Sequence, residues 1–418
     1  MVPNGDRIEL VSWKEIAGYL GVGVRTAQVW ERERGLPVRR LPGPRGQVSA
    51  LVADLKAWKS SGNLPPTPEA PRRRAHWWWA APLLAVVLSA SAFVVWSRPG
   101  QPSRYRVEPH TLIISDDRGR ELWRKHFASL DEASYSYADN KDGIVWFGDL
   151  DGNGATSVVF LLAVGRSGAP ESVIAYTSSG RERWRFTPGH AVHTSTKAFQ
   201  PPFHPERFLV TRLGRQGRLR VAVTSTDHMD DPCRVALLDK NGRLLREYWH
   251  SGHLTHLLAM DLDHQGWNTL IAAGISNAHK AGTLLVLDPD HFTGASNEDD
   301  PAYQLRDLPP GVEAARILFP RSCINEKLEP FTTVTRLWRD GETIGLEVQH
   351  RLSPPDATIF YHLNLDLTLN GFTVGTSFER AHLALQASGI IDHELSQAEI
   401  AAFRNLSHLT VEDHAANH

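Results

Sequence analysis

Cysteine is nearly missing from this chain. Two occur in 418 residues, Cys233 and Cys323, and neither sits in a CxxC pair. A disulfide-dense scaffold and a four-cysteine zinc site are thereby excluded, whereas one Cys233–Cys323 bridge and two separate thiols stay open. Catalytic signatures are missing too: no P-loop, GxSxG, HExxH or CxxC motif occurs, so the expectation is a protein that is not an enzyme. Charge is missing from one stretch, Trp77 to Trp96, twenty residues without Asp, Glu, Lys or Arg, preceded by Arg72, Arg73 and Arg74. At 1.5 Å per residue a helix there reaches about 30 Å, the depth of a bilayer's apolar core. A single transmembrane helix over 77–96 is expected, with Trp77, Trp78, Trp79 and Trp96 at the headgroup levels. A secretory signal would start near residue 1 and carry a shorter apolar core.

The formal net charge of −2 conceals two unlike parts: residues 1–76 hold 13 Lys and Arg against 7 Asp and Glu, and the remainder holds 32 against 40. A basic head inside and an acidic tail outside is the expected orientation. Residues 61–76 contain four prolines and the Arg triplet, the composition of a linker. Ala81, Ala85 and Ser89 recur every fourth residue, a face that offers a homodimer contact, although small residues tolerated in lipid would look the same.

In the head, Ser12-Trp13-Lys14-Glu15 is a capping box that opens a helix, with Trp13, Ile16, Ala17 and Leu20 on one face. Gly21-Val22-Gly23 breaks it, and a second helix runs from Val24 to Arg34 with Ala27 and Trp30 inward, ended by Gly35-Leu36-Pro37. Val38–Leu41, a Pro42–Gly46 turn and Val48 form a hairpin, and Leu51–Trp58 a further helix. The stretch SWKEIAGYLGVGVRTAQVWERERGLPVRR resembles the winged helix-turn-helix of the MerR and excisionase group. That resemblance implies DNA binding over residues 1–60. Lys14, Arg25, Thr26, Gln28 and Arg32 are the candidates on the helices, and Arg39, Arg40 and Arg45 on the wing would meet phosphates. Glu31 and Glu33 favour the alternative, a helical module that binds protein.

After the span, aspartate-rich turns leading into strands (145–163, 208–225, 257–274, 334–348) alternate with strand–turn–strand units bearing Trp or Arg (112–127, 173–186, 235–249, 284–294, 361–374). Recurrence at roughly fifty to sixty residues and short strands between Gly, Asp and Asn turns point to an all-β repeat domain over 97–395, a β-propeller first and a β-sandwich second. The Asp149–Gly154 turn resembles FG-GAP or VCBS repeats, and the tryptophan turns resemble quinoprotein-like propellers. Asp149, Asp151 and Asn153 have the spacing of calcium ligands, but Ser157 and Phe160 stand where acids are wanted, so a turn held by Asx hydrogen bonds is the competing expectation. His250, His253 and His256 cannot easily converge on a metal from a strand or a helix. Residues 396–418 are expected as a short helix capped by Ser396 and Glu399 and a frayed tail from His408.

The order of parts is multidomain: winged helix-turn-helix head, transmembrane helix, all-β repeat domain. It resembles ToxR-type membrane-anchored regulators, which implies the inner membrane, a cytoplasmic N-terminus and an extracytoplasmic sensor for an unknown ligand or partner. The function expected is a one-component transcriptional regulator. The alternative is a membrane-anchored binding or scaffold propeller whose head contacts protein.

Overall fold

The structure, a computed structural model, describes residues 8–40, 48–62, 100–132, 135, 144–163, 170–227, 232–328 and 330–409. The chain divides into two compact units, Met1–Trp96 and Ser97–His418.

In the first unit Ser12 caps α1 (Trp13–Leu20), its hydroxyl accepting from the Glu15 amide at 3.2 Å while the Glu15 carboxylate accepts from the Val11 amide at 3.0 Å. Gly21 ends α1 in the left-handed conformation (φ 72°), which a Cβ would resist. After it come α2 (Val24–Arg34), ended by left-handed Gly35, and α3 (Val52–Ser60). Ile16, Ala17, Leu20, Ala27, Trp30, Leu36, Ala50, Leu55 and Trp58 make one core, with the Trp30 and Trp58 rings 5.7 Å apart.

Two expectations for this part are corrected. Val48, expected in a two-stranded wing, and Leu51, expected to start a helix, belong to Val48–Leu51, the centre of a three-stranded sheet that pairs with Arg39–Arg40 on one side and Glu9–Leu10 on the other. The unit is thus a mixed α/β module, and a winged helix-turn-helix head is not evident in it. The hairpin turn with Arg45 and the expected span 77–96 lie outside the described residues. Among the described residues no helix is long and apolar enough to cross a membrane. The longest has 12 residues, about 18 Å, well short of the roughly 30 Å needed. A ToxR-like architecture and a single-pass inner-membrane location are therefore not supported.

The second unit is a succession of antiparallel meanders. Three strands over 104–126 are followed by four-stranded sheets over 145–186, 204–250 and 333–374, and by a five-stranded sheet over 252–318 whose outer strand is Ser407–Leu409. His408 and Leu409, the start of the tail expected to fray, therefore lie in a strand. The middle strands are buried without alternation: Ser157–Leu162, Ser172–Tyr176, Cys233–Leu238 and Ala281–Leu287 are buried at every residue. Successive side chains serve different neighbours. Val158, Phe160 and Leu162 pack on Leu112 and Ile114 of the preceding sheet, whereas Val159 and Leu161 pack with Val221 and Val223 of the following one. Cys233, Val235 and Leu237 share a core with Leu270, Ala272 and Leu285. Leu284 and Val286 share the next with Val334, Leu346 and Ile359. Each of the three inner sheets thus packs on the one before and the one after, because side chains alternate across a strand. Both thiols are free, and burial raises that of Cys233 to about 12.

Four hairpin turns share one hydrogen-bond frame. The amides of Asp116, Thr177, Asp239 and Asn364 each donate to the carbonyl four residues on, at 2.9 Å. Gly119, Gly180 and Gly242 of the first three are left-handed (φ 78–79°). Two of these turns receive a tryptophan from the preceding sheet. Trp123 Nε1 donates to the Ser178 carbonyl at 3.0 Å, and its ring covers Gly180. Trp184 Nε1 donates to the Lys240 carbonyl at 2.9 Å, and its ring covers Gly242 so closely that an added Cβ would come within 2.6 Å.

The last sheet and its neighbour are backed by α4 (Cys323–Lys327), α5 (Thr376–Ala387) and α6 (Gln397–Ala402), which contribute Ile324, Phe378, Ala381 and Leu385 to that core, with Phe403 just after α6. The docking geometry makes a comparison available. Gly266→Ala (φ 81°, open space) should lose only the left-handed penalty, about 1–2 kcal/mol. Gly242→Ala should lose at least about 1 kcal/mol more in chemical denaturation, from the displaced ring. Equal losses would contradict tryptophan docking.

Candidate functional site

The outer face of α2 carries exposed cations. Ala27 and Trp30 turn inward, and the Trp58 indole donates to the Arg34 carbonyl at 2.9 Å, fixing the helix on α3. At 100° per residue Arg25, Gln28 and Arg32 then fall within about 60° of one another. Arg25, Thr26 and Arg32 are exposed and Gln28 is half-buried. Lys14 is exposed on α1. Among the described residues no ion pair engages Lys14, Arg25 or Arg32.

Arg39 and Arg40, expected on the wing, lie in the strand that pairs with Val48 and Ser49, and each faces an acid. Arg40 donates twice to Glu31 Oε1 at 3.1 Å and once to Oε2 at 2.9 Å, and Arg39 lies 3.6 Å from Asp54. Hydrogen bonding to Glu31 raises the Arg40 pKa. These two cations are already neutralised by their own unit, which the sequence could not show because the partners lie on α2 and α3.

In the second unit Asp149, Asp151 and Asn153 come together in one loop whose oxygens face its own backbone. Asp149 Oδ1 accepts from the amides of Asp151, Gly152 and Asn153 at 2.7–3.1 Å, and Oδ2 from Gly154 at 2.7 Å. The Gly154 amide is the foremost cause of its lowered pKa. Asp151 pairs with Arg183 at 2.5 Å, and Asn153 Oδ1 accepts from the Ala155 amide at 2.9 Å. The donor set therefore satisfies the loop without a cation. His250, His253 and His256 do not meet: His250 is fully buried, His253 faces Glu206 at 3.4 Å, and His256 bonds the Thr255 hydroxyl at 2.8 Å.

A buried charged network went unforeseen. Arg316 reaches Glu313 Oε1 with Nε at 2.8 Å, Glu298 Oε1 at 3.1 Å and the Tyr248 hydroxyl at 3.4 Å, while Tyr248 donates a very short bond to Glu313. Ser251 donates to Glu298 at 2.8 Å. The side chains of Arg316, Glu298 and Glu313 are 3, 0 and 2% exposed, so the network has no face toward a solute. Burial raises the Glu313 pKa and, with Arg316 and His279 nearby, drives that of His250 well down. Its partners are separated by up to 68 residues, and charged residues read as surface in a sequence. Such a network ties the 288–314 connection to the sheet, because removing one member would strand the others.

No family model matches the chain, and no curated protein matches it. The MerR/excisionase and FG-GAP or VCBS resemblances are therefore not supported as family memberships. Among solved structures, a eukaryotic initiation factor is 7% identical with a TM-score of 0.29, over 65% of this chain and 62% of that one. A Bacteroides caccae protein of unknown function is 8% identical, TM-score 0.24, over 67% and 93%. The AfRom2 CNH domain is 10% identical, TM-score 0.26, over 66% and 85%. At these scores no likeness carries an argument.

The buried histidines generate a pH dependence. Burial lowers His256 to about 4 and His350 to about 3, with His250 also far down. Unfolded, each returns toward 6.5, so below that pH the unfolded chain binds protons that the fold does not, and stability falls. His204, raised chiefly by its hydrogen bond to Glu171, works the other way, but its contribution is complete below about pH 6. Between pH 6 and 5 the unfolding free energy of the second unit should drop by on the order of 3 kcal/mol. A flat profile in denaturant titrations would show that these rings are not held neutral.

Proposed function

We propose that the chain is a DNA-binding regulator, in which the first unit lays α2 against duplex DNA and the second unit, a β-propeller, receives a ligand or partner. The observation that carries the DNA assignment is the α2 face: Arg25 and Arg32 are exposed, with half-buried Gln28 beside them, and among the described residues no acid pairs with either arginine, while Arg39 and Arg40 face Asp54 and Glu31. Arg and Gln are the side chains that present bidentate donors to guanine and adenine edges. A helix of 11 residues covers one half-site, so two copies acting together are expected. Four-stranded meanders following one another in chain order, each packed on the next, support the propeller. No catalytic step is assigned.

The second reading, a protein-binding first unit, is favoured by Ile8 and Val11, which are 59% and 53% exposed beside α1. Fluorescence anisotropy of the full chain on labelled duplex across a salt series separates the two. DNA binding should weaken linearly in log–log salt, and Arg25→Ala with Arg32→Ala should cut affinity at least about tenfold and flatten the slope by nearly two. Arg40→Ala should change both much less. Absence of binding at low salt, or equal losses from all three arginines, would overturn the assignment.

A further inference from the structure

Four side chains that are remote in sequence converge where α4, α5 and α6 meet: Cys323, His382, His393 and Glu399 each place a potential ligand atom within 4.8 Å of the others. We propose that they form a four-ligand site for a divalent transition metal, zinc above all. A thiol, two imidazoles and a carboxylate suit zinc and its neighbours, and not calcium or magnesium, which take oxygen sets.

A second observation points the same way. His382 is 2% exposed, and its Nε2 is buried without a hydrogen-bond partner, a cost that the fold bears on the side of α5 facing the cluster. Its ring lies 5.4 Å from that of His393. His393 is oriented as metal-binding histidines are: Nδ1 is 3.1 Å from Asp392, while Nε2 points at Glu399 Oε1, 2.8 Å away. Glu399 is held in turn by the Ser396 amide and hydroxyl at 2.9 and 3.0 Å, the capping box of α6. Cys323, the first residue of α4, is half-buried.

In a tetrahedral zinc site the ligand atoms lie about 3.3–3.8 Å apart, so those farthest apart close by about 1 Å and the His393–Glu399 hydrogen bond gives way to two metal bonds. The Cys323 thiol, kept protonated to about 11 by burial and the neighbouring Glu399, gives its proton to solvent when the thiolate binds. All four ligands come from protein, the pattern of a structural site. It would pin α6, and with it the edge strand Ser407–Leu409, to α4 and α5. Ligands at 323, 382, 393 and 399 have no motif spacing, which is why a sequence scan passes them by.

Cobalt provides the test, on the full chain stripped with a chelator. One equivalent of Co²⁺ should give intense visible bands of tetrahedral cobalt and a near-ultraviolet thiolate-to-cobalt band, and one equivalent of Zn²⁺ should bleach both. Other histidines among the 20 would give only weak octahedral spectra, and Cys233 is fully buried in a strand, so the thiolate band reports Cys323. Cys323→Ser should abolish that band. His393→Gln, at a partly exposed position the core does not need, should weaken zinc at least 100-fold in chelator competition while circular dichroism stays unchanged. A wild-type chain that shows no thiolate band at one equivalent overturns the proposal, as does zinc affinity unaltered in His393→Gln.

Discussion

The second unit depends on one constraint: the middle strands Ser157–Leu162, Ser172–Tyr176, Cys233–Leu238 and Ala281–Leu287 have no solvent face. Val158, Phe160 and Leu162 belong to one inter-sheet core and Val159 and Leu161 to the next, within a single strand. At roughly 1.5–3 kcal/mol per fully buried aliphatic side chain, a sheet that lost either neighbour would expose several such residues at once. The sheets are therefore stable together rather than singly, as in other stacked repeats. The outer strands are where this relaxes. Leu244 and Leu245 of Leu244–His250 are exposed, and it is from outer strands that Trp123 and Trp184 reach over to the next sheet's turns.

Some of the polar groups inside this apolar stack are tied together into networks. Arg316 with Glu298, Glu313 and Tyr248 is one such case, and His350 between Ser322 and Asn325, at 3.1 and 2.9 Å, is another. Each joins a connection to a sheet.

Local chemistry was legible in the sequence. The Ser12–Glu15 and Ser396–Glu399 capping boxes open helices, the Gly21 and Gly35 stops are left-handed, and the glycines of the repeated turns mark hairpins. What depends on distant partners was not. Glu9–Leu10 and Ser407–Leu409 are strands because Val48–Leu51 and Ala315–Leu318 offer them edges, not because of their own composition. The unalternating runs in 157–162 and 281–287 become intelligible only once both faces are known to be covered. At the candidate site, the helical spacing of Arg25, Gln28 and Arg32 was readable, whereas the capture of Arg39 and Arg40 by acids from other elements was not. The span expected over 77–96 and Arg45 fall outside the described residues.

In the proposed function the first unit recognises DNA and the stacked sheets of the second unit take no part in that contact. Hydrogen exchange of the full chain, with and without a saturating duplex, tests that division directly. Slowed exchange confined to the amides from Gly21 to Arg34 and their immediate neighbours, with the sheets over 104–374 unchanged, is the predicted result. Protection appearing in those sheets, or nowhere, would contradict it.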